Sequence, residues 1–145
     1  MLASTMDPVL HQAYLATTYR AETEFGPVRI RIGQFASKLD RILERNEVRE
    51  WLFITAWNPA SKRSPDDENK RRHRGLVSQI ERLGLTSYPG WGVPDEPDWA
   101  PEKSLLVLGV DANIAGELCV RYGQNAVVMG HYGQRARLVY RHDFQ

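Results

Sequence analysis

In the stretch FITAWNPASKRSPDDENKRRHRGLV, Phe53 to Val77, an apolar run breaks at Asn58-Pro59 and a charged helix begins. At the helical period of roughly 100° per residue, Asn69, Leu76, Ile80 and Leu83 fall within about 40° of one direction, with Arg72 and His73 beside them. The inward face is therefore apolar at its C-terminal end and polar at its N-terminal end. Lys70, Arg71 and Arg74 point to solvent. A strand that runs through a short loop into this helix brings Asn58 and Ser61 close to the helix N-terminus, where backbone N–H groups and the dipole favour an anion. Asn58, Ser61, Asn69, Arg72 and His73 thus form a candidate cluster able to donate hydrogen bonds to a carboxylate, phosphate or nucleobase edge. The competing reading has Asn69 and Arg72 bonding loop carbonyls around Asn58-Pro59 and His73 simply partly buried.

Glu102 and Ser104 stand at the start of the apolar strand Leu105 to Leu108, and Gln124-Asn125 precedes another. A carboxylate at Glu102 could act as a general base or pair with Arg72; residues so placed, Ser104 and Gln124 among them, more often cap strands and turns. Cys119 shares the apolar side of its helix with Ala115 and Leu118 and reads as core. There is no phosphate-binding glycine loop, dinucleotide fingerprint, nucleophile elbow or His-Glu-x-x-His. The residues Pro65 to Lys70 spell a nuclease-like PDDENK. On a helix, however, Glu68 and Lys70 diverge by roughly 200°, which defeats that chemistry. His11, His73, His131 and His142 are scattered, so no metal site is expected. No cofactor and no reaction can be assigned from these residues.

Several elements position the candidates. Thr18 to Phe25 and Val28 to Ile32 flank Gly26-Pro27 as a hairpin, and Val28, Ile30 and Ile32 alternate with arginines. Pro8 can open a short helix through Tyr14. Phe35 to Asn46 has helical spacing, with Ser37 as a cap. Trp51 to Trp57 reads as a buried strand. The helix that follows starts at Ser64-Pro65-Asp66-Asp67 and stops at Gly84. A second unit has the same shape: strand Ser104 to Val110, cap Asp111, helix Ala112 to Tyr122, stop Gly123 and strand Asn125 to Met129. Ala136 to Arg141 forms the last strand. Tyr88 to Lys103, with four prolines and Trp91 and Trp99, reads as a long loop.

The 145 residues, 42% of them apolar, suffice for one core. The expected architecture is a single α+β domain over residues 9–145, preceded by a flexible N-terminus at 1–8. It has a mixed β-sheet with an N-terminal hairpin, β-α-β units and about three helices packed on the sheet. Nineteen basic against eighteen acidic side chains leave a charge of +1, which disfavours a nucleic-acid partner. One cysteine, no ~20-residue apolar span and no basic-then-hydrophobic N-terminal segment lead to the expectation of a cytoplasmic protein with no membrane partner.

The segments ITAWNP (Ile54 to Pro59), ENKRRHRGL (Glu68 to Leu76), SLLVLGVD (Ser104 to Asp111) and RYGQNAVV (Arg121 to Val128) together resemble a family of small, uncharacterised bacterial proteins known as a domain of unknown function, DUF3293. The resemblance runs from about Tyr19 to Tyr140. Its pattern falls here on Asn58, Pro59, Asn69, Arg72, Glu102, Ser104, Gly123, Gln124, Asn125 and Ala126. Lys103 departs from the small residue or proline expected there. The family lends no activity, but it implies that these polar elements form one set. The leading expectation is a site for a small polar or anionic ligand, nucleotide-like compounds included, between the Asn58 loop and the helix that carries Asn69 and Arg72. The alternative is a module that docks a protein or nucleic acid through the basic helix face and the Trp-rich loop.

Overall fold

The computed structural model describes residues 7–144. Of the N-terminal segment expected to be flexible, residues 1–6 lie outside that range. Asp7 and Pro8 begin helix α1 (Pro8–Leu15): proline starts the first turn, and Asp7 Oδ1 accepts from the backbone N–H groups of Val9 and Leu10. The chain continues through strands β1 (Thr17–Thr23) and β2 (Gly26–Ile30), helix α2 (Ser37–Arg45), strand β3 (Glu50–Ile54) and helix α3 (Asp66–Arg82). Strands β4 (Ser87–Pro94) and β5 (Glu102–Leu108), helix α4 (Ala112–Arg121), and strands β6 (Ala126–His131) and β7 (Arg137–Tyr140) follow, and a short 3-10 helix over Arg141–Phe144 comes last.

All seven strands form one sheet in the order β2-β1-β4-β5-β3-β6-β7. The single α+β domain agrees with expectation, with four α-helices among the described residues instead of about three. The mixed sheet is corrected in one respect: every pairing of neighbours is antiparallel. The two β-α-β units are present but interleaved. Strand β5 lies between β3 and β4, the ends of the first unit, and β3 lies between β5 and β6, the ends of the second. Each pair of parallel strands is thereby split by an antiparallel one.

The segment read as a long loop supplies most of β4. Its glycines are what the strand requires: Gly90 lies opposite Ala21 and Ser104, and a Cβ there would approach the Arg20 carbonyl to 2.7 Å and the Phe53 ring to 2.9 Å. Pairing with β1 stops at Gly90, so Pro89 lies past its end. Only residues 95–101 remain as a connection.

The sheet curls into a half-barrel. Gly33 N–H donates to the Ala136 carbonyl, Ala136 N–H donates to the Gln34 carbonyl, and Phe35 bridges Arg135, so the two edges meet at one end. Side chains alternate between two faces. Leu52, Ile54, Leu105, Val107 and Val127 pack against Leu76 and Ile80 of α3 and Ala115, Leu118 and Cys119 of α4. On the other face Trp51, Phe53, Leu106, Leu108 and Val128 meet Tyr19, Ile30 and the α2 residues Leu39, Ile42 and Leu43. Helix α2 covers only part of that second face. Next to it lies the region under α1, a helix without a single buried residue.

Candidate functional site

Strand β3 ends at Ile54 and the chain turns away from the sheet. Thr55 Oγ1 donates to the Lys103 carbonyl at 2.6 Å and accepts the Trp57 N–H at 3.0 Å, tying this exit to the start of β5. Asn58, Ala60 and Ser61 then adopt left-handed backbone conformations with φ of 46°, 59° and 61°. Side chains with a Cβ rarely take this region, and asparagine tolerates it best. Three such residues in four are retained because surrounding bonds over-determine them.

Those bonds come from α3, the start of β5, Ser64 in the connection itself and the turn between α4 and β6. Asn69, 1% exposed, accepts the Asn58 N–H through Oδ1 at 2.9 Å. Its Nδ2 donates to Asn58 Oδ1 at 2.8 Å and to the Ser64 carbonyl at 3.2 Å. Asn58 Oδ1 also accepts the Ser64 N–H at 3.0 Å, and Asn58 Nδ2 donates to Glu102 Oε2 at 2.9 Å. Ser64 is therefore not the helix cap: both its backbone groups serve this network, and α3 starts at Asp66 with no side-chain cap bond. From the other side, Ala60 N–H donates to the Gly123 carbonyl and Asn125 Nδ2 donates to Ser61 Oγ at 3.0 Å. Gln124 Nε2 donates to the carbonyls of Trp57 and Tyr122.

The candidate residues divide by what is left free. The amide of Asn69 is fully used in holding the loop. Gln124 and Ser104 are 6% and 2% exposed, and Ser104 Oγ donates to the Glu102 carbonyl at 3.0 Å, so both hold backbone. Glu102 differs, because its Oε1 has no partner among the described residues. Burial raises its pKa from 4.5, with the Asn58 hydrogen bond pulling in the opposite direction.

Glu102 opens onto a cavity of about 1280 Å³ between the uncovered part of the sheet, α1, the 55–66 connection and the β4–β5 connection. Its floor is a row across three strands, Tyr19 beside Gly92 beside Glu102. A Cβ on Gly92 would meet Thr17 Cγ2 at 3.8 Å and the Tyr19 ring at 3.9 Å, ordinary contact without a clash, and Gly92 lines the cavity next to the carboxyl. Phe53, Val128 and Leu138 line apolar wall, and Tyr14 of α1 closes over it. Burial raises the Tyr14 phenol to about 12, partly offset by hydrogen bonding with the Ser61 side chain. Tyr19 is raised further for the same first reason, and its hydroxyl donates to the Tyr14 carbonyl at 3.1 Å. Both phenols are neutral donors at ordinary pH. His11 Nδ1, 2.7 Å from the Tyr140 hydroxyl, and Arg31, which donates to the Leu15 carbonyl and pairs with Asp95 at 2.9 Å, anchor α1 and the β4–β5 connection.

Asn58, Ser61, Asn69, Glu102, Ser104 and Gln124 all line this cavity. Arg72 and His73 do not. Arg72 faces a separate groove of about 520 Å³ between α3 and the end of α4, reaches Glu68 at 3.9 Å and leaves Nη1 buried without a partner among the described residues. It does not pair with Glu102. His73 Nδ1 is likewise buried and unpartnered, and its pKa is lowered, first by burial and then by Lys103. Lys70, Arg71 and Arg74 are exposed as expected, whereas Trp91 is built into β4 and only Trp99, 63% exposed, projects from the connection. Among the described residues no three His, Cys, Asp or Glu side chains are placed to hold a metal, and no helix is long and apolar enough to cross a membrane. Cys119 is buried, donates to the Gln124 carbonyl at 3.4 Å and has its thiol pushed up to about 11 by burial, as suits a core residue.

Local patterns did not reveal Tyr14, Tyr19 and Gly92 as parts of a site. The available signal was the pair Gly90 and Gly92, two residues apart and therefore on one face of a strand.

A family model described as a protein of unknown function (DUF3293) matches residues 54–127, just over half of the chain, and the chain belongs to that family. The match is shorter than the resemblance in the sequence. It contains the strained loop, α3, β4, β5 and α4, hence every candidate residue from Asn58 to Gln124, while Tyr14 and Tyr19 precede it. No curated protein and no solved structure matched the chain.

Proposed function

We propose that this DUF3293 member binds a small organic molecule in the cavity beneath α1, with the ligand's polar group at Glu102 and its apolar part against Phe53, Val128 and Leu138. The cavity itself carries the reading: about 1280 Å³ of space beside a partly satisfied carboxyl, in a domain whose other sheet face is closely packed. Small-molecule sites have this form, mostly apolar with a few placed polar groups. Asn58, Asn69, Ser104 and Gln124 act as positioning residues that hold Glu102 and the strained loop. The hydroxyls of Ser61 and Tyr14 complete the polar end.

The docking alternative is less well supported, because its Trp-rich loop reduces to Trp99. The reading is tested by mass spectrometry of small molecules that co-purify with the native protein and with Gly92→Leu, whose new side chain occupies the space beside Glu102. A compound enriched with the native protein and lost in the variant is expected. A co-purifying compound retained equally by both would contradict the assignment to this cavity.

A further inference from the structure

We infer that the ligand's polar group is a protonated amine, so that the cavity selects organic cations. This inference rests on the cavity being a ligand site. Its first support is a missing counter-ion. Glu102 lies in the wall with one oxygen held by Asn58 and the other open, and no Arg, Lys or His pairs with it among the described residues. Lys103, the adjacent residue, acts on His73 instead. A sequestered carboxylate ordinarily has a cationic partner or several donors. Here the available space next to it lets a ligand supply that partner, and Oε1 can accept its N–H.

The second support is the balance of charge around the space. Asp66, Asp95, Glu96 and Glu102 line it against Arg63. Arg31 neutralises Asp95, which still leaves three acids facing one base. A phosphate or carboxylate would enter an unfavourable field, so the nucleotide-like and anionic versions of the sequence expectation are set aside. The third support is independent of charge. Tyr14, Tyr19, Phe53, Trp57 and Trp99 contribute aromatic surface to the same lining. Ring faces attract ammonium groups, and the attraction grows when water is excluded. An amine with a pKa of about 10 is protonated wherever Glu102 is ionised.

Three probes with a common apolar body separate the possibilities: 2-phenylethylamine, 2-phenylethanol and 3-phenylpropanoate. Binding is measured by calorimetry to the native protein, Glu102→Gln and Gly92→Leu. The amine is expected to bind at least roughly tenfold more tightly than the alcohol and the carboxylate. Glu102→Gln, which keeps the shape and can still accept from Asn58, should remove that preference, so that amine and alcohol bind the variant within about twofold of each other. Gly92→Leu should abolish binding of every probe that binds. Equal or stronger binding of the alcohol or carboxylate, absence of amine binding, or an amine preference that survives Glu102→Gln each overturns the amine assignment. If the alcohol or carboxylate still binds and Gly92→Leu abolishes it, the cavity reading stands without the amine. Probe binding untouched by Gly92→Leu overturns both.

Discussion

The two faces of the sheet are built from the same strands but are covered differently. On one face the long helix α3 and helix α4 place Leu76, Ile80, Ala115 and Leu118 against alternate strand residues, all at most 1% exposed. On the other, nine-residue α2 packs at one end and eight-residue α1, with Val9 80% exposed, spans the rest without burying a side chain. The first face is closed core. The second is core at one end and a cavity at the other, and the polar loop that leaves β3 lies at the open end. The difference shows how a small domain can keep a stable interior and still hold a sizeable cavity: the packed face stabilises the sheet, so the open face need not.

The largest expected effect lies on the closed face. Leu76→Ala should cost about 2–5 kcal/mol in denaturant unfolding, because a fully buried side chain leaves a hole that α3 cannot collapse. A loss below about 1 kcal/mol would mean that this face is not the tighter one. Next come two glycines on one strand and one face. Gly90→Ala should cost about 1–3 kcal/mol, since its methyl meets the Arg20 carbonyl and the Phe53 ring. Gly92→Leu, a far larger substitution, should change stability by less than about 1 kcal/mol, because the cavity receives the side chain and a strand loses a flexible residue. Equal destabilisation by the two would indicate that the space beside Glu102 is already filled.

Asn69→Ala should cost about 1–3 kcal/mol by freeing the Asn58 N–H and Ser64 carbonyl from their buried partner. Loss of the residue's ordering should also raise amide exchange across 58–64. Unchanged exchange there would remove Asn69 from its positioning role. The smallest effect concerns pH. The Glu102 carboxyl binds protons more tightly folded than unfolded, so its contribution to stability is greatest below 4.5 and falls as pH rises through the raised folded value. Glu102→Gln should remove that loss and make the unfolding free energy flatter across the window. An unchanged slope would show that Glu102 is not the desolvated acid.

Much of this was legible in local sequence. The inward direction of Asn69 followed from its helical period with Leu76 and Ile80, and Asp111 caps α4 through Oδ1 to the Ile114 N–H as its position predicted. The helix ends at Gly84 and Gly123 are marked by glycines with positive φ. Other features depended on information that local periodicity does not contain. Glu102 reaches Asn58 because β5 inserts between β4 and β3, a strand order set by the whole chain. Arg72 flanks the polar face by angle alone, but its side chain lines the groove toward the end of α4 and Pro59 and not the cavity. Tyr88-Pro89-Gly90-Trp91-Gly92 carries the residues of a turn, and prolines and glycines outweighed the alternation of Tyr88, Gly90 and Gly92 that marks an inward face. In this strand the glycines answer to neighbouring side chains: one yields to Phe53, and the other opens the cavity.

Occupancy of the cavity beneath α1 is tested most directly by following backbone and methyl NMR signals of the native protein while 2-phenylethylamine is added. The prediction is saturable shifts confined to Tyr14, Tyr19, Phe53, Trp57, Gly92, Glu102 and Leu138, with Leu76, Ile80 and Leu118 unmoved. Shifts centred on the α3–α4 face, or spread evenly over both faces, would contradict it.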